Sequence, residues 1–251
     1  MIGSSLASRI TIAPQTQKRK MRLILFPPTK QLRLDGRLMI ITVVGGNGFV
    51  GSGMLKELSQ FDDFELYSIS RSGRPDKQVT LPNVKWLKGD VSQPGHWEKI
   101  IAKSDWVIDC VGILFPNPLT KTSYWKNSIQ PAESLINTIH RQNIASDNPK
   151  KTHFLFVSAN YGPFFMAPYI KAKLEVEKDM ARLLPQNSVV VYPGIVTDSS
   201  KLTTRLLENL AKALTLSLYF KRLRFVSRDV IAQETVRILT GETSFLTERV
   251  D

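Results

Sequence analysis

ITVVGGNGFVG, residues 41–51, runs a β-branched apolar stretch straight into Gly45, Gly46, Gly48 and Gly51. The run begins three residues earlier, as LMIITVV over 38–44, and suits a strand buried on both faces of a parallel sheet. The residues that follow have helical spacing, with Val50, Met54, Leu55 and Leu58 on one side. A glycine-rich turn between a strand and a helix is where a dinucleotide phosphate is held. Gly45 permits the tight turn, Gly48 lets the backbone approach a pyrophosphate, and Gly51 lets the helix pack closely on the strand. The helix start then offers unpaired N–H groups and partial positive charge to the phosphates. Asn47, Phe49 and Val50 complete the predicted phosphate-side segment.

Working outward, five further strand-like runs follow: 64–70, 84–90, 105–112, 153–159 and 188–194. Helical patterns fill the gaps at about 95–103, 123–142, 169–184, 201–219 and 229–240. Strands alternating with helices imply βαβ units and a doubly wound parallel α/β sheet, closed by a short C-terminal helical extension. One nucleotide-binding domain is expected over 39–251, its small substrate or docking part from about 195 onward.

The second strand ends SISRSGR, near the position that reads the adenosine ribose. A site that prefers NAD places an acidic residue there to bind the 2′-hydroxyl. Here Ser70 and Arg71 stand in that place, and a guanidinium can pair with a 2′-phosphate through more than one hydrogen bond. The expected cofactor is therefore NADP(H) rather than NAD(H).

The chain is 251 residues long with a net charge of +12, and seven of those twelve charges fall within residues 1–38. The basicity thus belongs mostly to a leader, MIGSSLASRITIAPQTQKRKMRLILF, and does not indicate nucleic acid. That leader is basic, serine-bearing and nearly free of acids, the composition of a mitochondrial transit peptide. No run of about 18 apolar residues suggests a membrane span. Cys110 is the single cysteine, so no intramolecular disulfide forms, and His96, His140 and His153 are too scattered to suggest a metal site.

The succession GGNGFVG, SISRSG, GDV, CVG, VSAN…YIKAK, YPG and SRDVIA resembles the extended and atypical short-chain dehydrogenase/reductases, over about residues 39–235. Within that family it is most similar to the fungal mitochondrial branch of coenzyme Q biosynthesis. It is also similar to the NADPH-binding accessory subunit of respiratory complex I. The resemblance implies a Rossmann fold, with Asp90 and Val91 near the adenine, Cys110, Val111 and Gly112 lining the cofactor, and Pro193 and Gly194 near the nicotinamide. It also implies active-site roles for Tyr169 and Lys173, with Asn127 matching a family asparagine. Tyr192 departs from the family, many members having arginine there.

Tyr169 and Lys173, four apart, share a helix face. The ammonium is expected to lower the phenol's pKa and make Tyr169 a proton donor or acceptor, while Lys173 also holds the nicotinamide ribose. Ser158 is placed to polarise a substrate carbonyl. Turnover is left open, because a nucleotide fold can outlive its reaction. The stretch 206–225 combines a leucine stripe with Lys212, Lys221, Arg222 and Arg224, and suits either core packing or docking on an anionic membrane surface. The leading expectation is a mitochondrial NADP(H)-binding oxidoreductase-like protein. It would act in or support ubiquinone biosynthesis on the matrix face of the inner membrane, with enzymes of that pathway as partners. The alternatives are a non-catalytic accessory subunit among complex I subunits, and an epimerase or reductase of a soluble small molecule.

Overall fold

The computed structural model describes residues 37–75, 81–145, 151–162, 166–198 and 224–250. In chain order the elements are β1 (Met39–Val44), α1 (Phe49–Leu58), β2 (Phe64–Ser70), β3 (Val84–Lys88), α2 (Trp97–Ile101) and β4 (Trp106–Asp109). A π-helical turn (Trp125–Ile129) then leads into α3 (Gln130–Ala145), followed by β5 (His153–Val157), α4 (Ala167–Leu183) and β6 (Ser188–Val191). The last are β7 (Ile195–Thr197), β8 (Phe225–Ser227) and α5 (Arg228–Leu239).

Six strands pair in parallel in the order β3-β2-β1-β4-β5-β6. The order reverses beside β1, and in such sheets the crevice beyond the strand ends at that reversal is where ligands bind. Both faces are covered, which is why β1 reads as an unbroken apolar run. Ile41 and Val43 pack with Met54, Leu55 and Leu58 of α1 and Ile231 and Val236 of α5. Val44, Ile69 and Val107 pack on the opposite face with Leu135 and Ile136 of α3 and Val176 and Met180 of α4. Buried Thr42 is matched by Ser104 at 2.7 Å, and Thr152 donates to the Ser104 carbonyl at 2.9 Å, so polar groups at the strand starts are satisfied.

Four strands stop short of their sequence-based ends: β3 at Lys88, β4 at Asp109, β5 at Val157 and β6 at Val191. Pairing lapses there, yet the next amides stay anchored: Gly89 N donates to Ser70 O at 2.9 Å and Cys110 N to Val44 O at 2.9 Å. The backbone then peels away to form the crevice walls. The helix expected over 123–142 opens instead with the π turn. At the C-terminal end of the basic stretch Phe225 begins β8, which pairs in parallel with β7, Ile195 opposite Phe225. The rest of that stretch, 201–223, lies outside the described residues, as does the leader up to residue 36.

Gly194 sits where β7 begins, and its amide neighbour Ile195 donates to Arg224 O at 2.7 Å. A Cβ at Gly194 would fall 1.9 Å from that same carbonyl oxygen, which is backbone and cannot swing aside. The glycine's local role is to let β7 and β8 meet. Gly194→Ala should therefore cost about 3 kcal/mol, the upper end of what overpacking costs. Gly241→Ala has open space around its Cβ and φ of +79°, and should cost only about 1 kcal/mol of backbone strain. Urea midpoints of the two variants measure the contrast, and equal losses would contradict this account of the β7–β8 junction.

Candidate functional site

A cleft of about 460 Å³ opens at the carboxyl ends of β1, β2, β3 and β4. Its floor is the turn after β1. Gly45 has φ of +82° and Gly48 N donates to Gly45 O at 2.8 Å, closing the turn. A Cβ on Gly51 would lie 2.4 Å from Gly45 O, so this glycine brings α1 against the turn, as the sequence suggested. Gly46, to which the sequence assigned no role, is more confined: a Cβ there would be 2.1 Å from Ser68 Oγ. Asn47 ties the loop to the end of β2, donating to Ser72 Oγ at 2.6 Å and Gly73 O at 2.7 Å.

The floor suits an anion. The N-cap of α1 is Gly48, which supplies no side-chain hydrogen bond, and the first turn holds no acid. Its leading N–H groups are thus left for a ligand, with the helix dipole behind them. Phe49 and Val50 can serve this site only through their amides. The Phe49 ring lies 5.3 Å from the Arg228 guanidinium, and Val50 packs on the core.

Ser70, Arg71 and Ser72 form one wall, and Gly89, Asp90, Val91, Ser92 and Gln93 continue it. Ser70 donates its hydroxyl proton to Gly73 O at 3.0 Å, which leaves its oxygen as an acceptor rather than a phosphate donor. Arg71 is exposed in the wall. Asp90 accepts from Ser92 N at 3.0 Å and so shapes its own loop. The opposite wall is Cys110, Val111 and Gly112, with Lys126, Asn127, Gln130 and Pro131. Cys110 lends backbone only, its sulfur lying 3.5 Å from Met54 Sδ in the core, where burial pushes the thiol pKa up. Lys126, Gln130 and Pro131 were missed from the sequence, because a π turn breaks the 3.6-residue pattern that would have put them on one face.

Beneath the β4 wall lies a buried pair, Asp109 and Lys173. Asp109 accepts from Val111 N at 2.8 Å, while its other oxygen is buried without a hydrogen-bond partner. Desolvation raises its pKa to about 6, against the attraction of Lys173. Desolvation likewise pushes the Lys173 pKa down, against the pull of Asp109. Lys173 Nζ donates to Val157 O at 2.7 Å and lies 4.4 Å above the Phe156 ring. It sits 6.0 Å from the centre of the Tyr169 ring. The expected lowering of the Tyr169 phenol is not what the structure has. Burial, with Tyr124 at 6.1 Å between ring centres, raises it to about 12.

Ser158, expected on a substrate carbonyl, donates instead to Glu177 Oε1 at 2.5 Å. Glu177 also takes Arg249 in a two-pronged pair at 2.8 and 2.9 Å and the Tyr192 hydroxyl at 3.1 Å. Arg249 stacks on the Tyr192 ring at 4.3 Å and reaches Ala159 O and Asn160 O. Pro193 O is taken by Asn160 N at 3.1 Å. The structure therefore brings Gly45, Asn47, Gly48, Ser70, Arg71, Asp90, Val91, Cys110, Val111 and Gly112 to one cleft. Ser158, Pro193 and Gly194 belong to a separate cluster under the C-terminal segment.

Comparison with known proteins decides the family. The model of the NAD dependent epimerase/dehydratase family matches residues 41–184, more than half the chain. The chain belongs to this family. An uncharacterised chloroplastic protein of Arabidopsis thaliana is 27% identical over 165 residues, 64% of this chain and 52% of its own. The chain thus spans about half the length of that relative. Among solved structures, the UDP-glucuronic acid 4-epimerase of Bacillus cereus in complex with NAD superposes with a TM-score of 0.59 at 16% identity, covering 84% of this chain and 76% of that one. The PhqB reductase domain of Penicillium fellutanum gives 0.56 at 16%, covering 79% and 63%. At such identities the likeness speaks for the fold, a parallel sheet flanked by helices, and this epimerase/dehydratase chain shares it.

The buried carboxyl gives a pH signature. A pKa raised from 3.8 to about 6 means the folded state favours protonated Asp109. Its contribution is fully present below about pH 4 and is lost as pH rises through about 6. Asp109→Asn should remove that loss, so the variant's stability relative to wild type should rise by about 1–3 kcal/mol from pH 4 to pH 7 in denaturant titrations, on top of a fixed cost for depriving Lys173 of its partner. Parallel pH profiles for the two proteins would contradict a raised Asp109 pKa.

Proposed function

We propose that the chain is an NADP(H)-binding member of its family that acts in or supports ubiquinone biosynthesis at the matrix face of the mitochondrial inner membrane. The observation that carries the nucleotide part is the uncapped start of α1, free of acids and aimed from the floor of a cleft whose ribose end presents Arg71. The glycine turn and the first amides of α1 would hold the pyrophosphate. Arg71, with no acid at the end of β2, favours a 2′-phosphate over a bare hydroxyl. When bound, the nicotinamide would supply hydride chemistry. Tyr169 on α4 would be the side chain for a reacting group, and Lys173, buried beside Gly112 with its ammonium on Val157 O, would reach the cofactor ribose only by giving up that bond. The pathway and compartment are supported by the resemblance of GGNGFVG, SISRSG and YIKAK to the coenzyme Q branch and by the basic, acid-poor leader. Enzymes of that pathway are the proposed partners.

Two observations favour a structural use of the same nucleotide, as in an accessory subunit of complex I. The Ser158 hydroxyl is committed to Glu177, and the Tyr169 phenol is raised rather than lowered. Quinone profiling of strains separates the readings. Gly48→Trp fills the pyrophosphate approach, while the fold bears on that position only through Gly45 O, 3.1 Å from a Cβ. At normal protein abundance this variant should lower ubiquinone towards the deletion level. Tyr169→Phe should lower it too if the phenol transfers a proton, a contribution worth about 10²–10⁴-fold in rate, and should leave it normal if the site only grips nucleotide. Normal ubiquinone in the deletion strain, or co-purification with complex I subunits instead of quinone-pathway enzymes, would overturn the pathway assignment.

A further inference from the structure

Between β4 and the π turn, residues 114–121 are all exposed. Three large apolar side chains project here, Leu114 at 51% exposed, Phe115 at 57% and Leu119 at 94%, and Trp125 at the start of the π turn adds a fourth at 55%. Soluble surfaces tolerate such residues singly, but several on one short loop mark a contact surface. The loop is internally ordered. Asn117 Oδ1 accepts from Leu119 N at 2.9 Å, Thr122 Oγ1 accepts from Asn117 N at 2.7 Å, and Thr122 N donates back to Asn117 O at 3.1 Å. Tyr124 OH donates to Leu114 O at 3.0 Å, which holds Leu114 beside the start of the π turn. These bonds leave fewer backbone groups to be stripped of water when the loop enters an apolar phase.

The charge on this loop has one sign. From Cys110 to Ala132 the chain has no acid, and its two cations, Lys121 and Lys126, are exposed. Lys121 stands in the left-handed region at φ of +52°, where glycine or asparagine is the usual occupant. Exposed Trp, Phe and Leu beside lysines, with no acid among them, match an anionic bilayer interface. Apolar side chains enter the acyl boundary there, indole sits at headgroup depth, and ammonium groups meet lipid phosphates.

We propose that the loop 114–126 is a docking surface for an anionic membrane, seating the mouth of the cleft at the lipid boundary. Lys126 belongs to both features, since it follows Trp125 on the π turn and also lines the cleft. Docking by this loop brings a substrate with an apolar tail to the nucleotide without leaving the bilayer. That choice of substrate class rests on the proposed quinone-pathway reading; the docking itself stands on the loop. Among the described residues no helix is long and apolar enough to cross a membrane, and the proposed contact is a peripheral one.

The test is flotation of the full chain with vesicles of phosphatidylcholine containing about 30% phosphatidylglycerol, and with phosphatidylcholine alone. Wild type should float with the first and poorly with the second. The basic leader is common to every variant, so Phe115→Asp combined with Leu119→Asp isolates the loop and should weaken binding by at least about tenfold. Brominated lipid should quench wild-type tryptophan emission, and Trp125→Tyr should abolish that quenching. Undiminished flotation of the double variant, or quenching that survives Trp125→Tyr, would overturn the proposal. Titration of the same proteins with NADPH keeps the two readings apart. Nucleotide binding without flotation of wild type refutes docking alone, and flotation without nucleotide binding supports docking while refuting the nucleotide site.

Discussion

Everything in the described structure depends on a turn that has no room for a side chain at Gly46 or Gly51. Between Val44 and Phe49 the backbone must leave the central strand, reverse through φ of +82° at Gly45 and start a helix that lies against its own entry. A Cβ at Gly51 would meet Gly45 O at 2.4 Å, and one at Gly46 would meet Ser68 Oγ at 2.1 Å. Because the turn is this tight, α1 packs directly on β1 and α5 packs on α1. Gly53 extends the same economy to the helix pair, where a Cβ would press on Arg228 Cγ at 2.3 Å. The same compactness leaves the first amides of α1 facing the cleft, so one constraint serves both packing and anion recognition.

Helix α4 carries the rest of the polar organisation. Tyr169, Lys173 and Glu177 are spaced four apart and lie along one face. Lys173 is held under β4 and β5 by Val157 O and faces Asp109, so the wall beside Gly112 rests on a buried pair whose desolvation outweighs its attraction. One turn on, Glu177 collects Ser158, Tyr192 and Arg249 and fastens the C-terminal segment over the ends of β5 and β6. Val250 N reinforces this by donating to Asn160 Oδ1 at 2.8 Å. The nucleotide half of the crevice is thus open, while the half beyond β5 is braced by the chain's own side chains.

The legible parts of this molecule were those written in local pattern. The apolar run at 39–44, the glycines, and the strand at 64–70 could be read because strand period, turn chemistry and helix period each act over a few residues. They located Gly45, Asn47, Gly48, Ser70 and Arg71 in the cleft, and the family resemblance added Asp90, Val91, Cys110, Val111 and Gly112. What escaped depended on distant partners. Nothing near Glu177 signals that Arg249, 72 residues on, will pair with it, or that Ser158 will donate to the same carboxylate. The tight meeting of Gly194 and Arg224 is likewise invisible until β7 and β8 are laid side by side. Tyr169 shows the limit of reading spacing as chemistry: a lysine four residues away lies on the same face, yet its ammonium is spent on a carbonyl and burial sets the phenol's pKa.

The central claim is that the cleft after β1 holds a nucleotide with a 2′-phosphate. Calorimetric titration of the full chain with NADPH and with NADH tests it most directly, with Arg71→Glu measured alongside. The account requires tighter binding of NADPH by wild type and a reversed preference in Arg71→Glu, since a carboxylate repels the 2′-phosphate and accepts from the ribose hydroxyls. Equal affinities, a wild-type preference for NADH, or no heat of binding for either would contradict it.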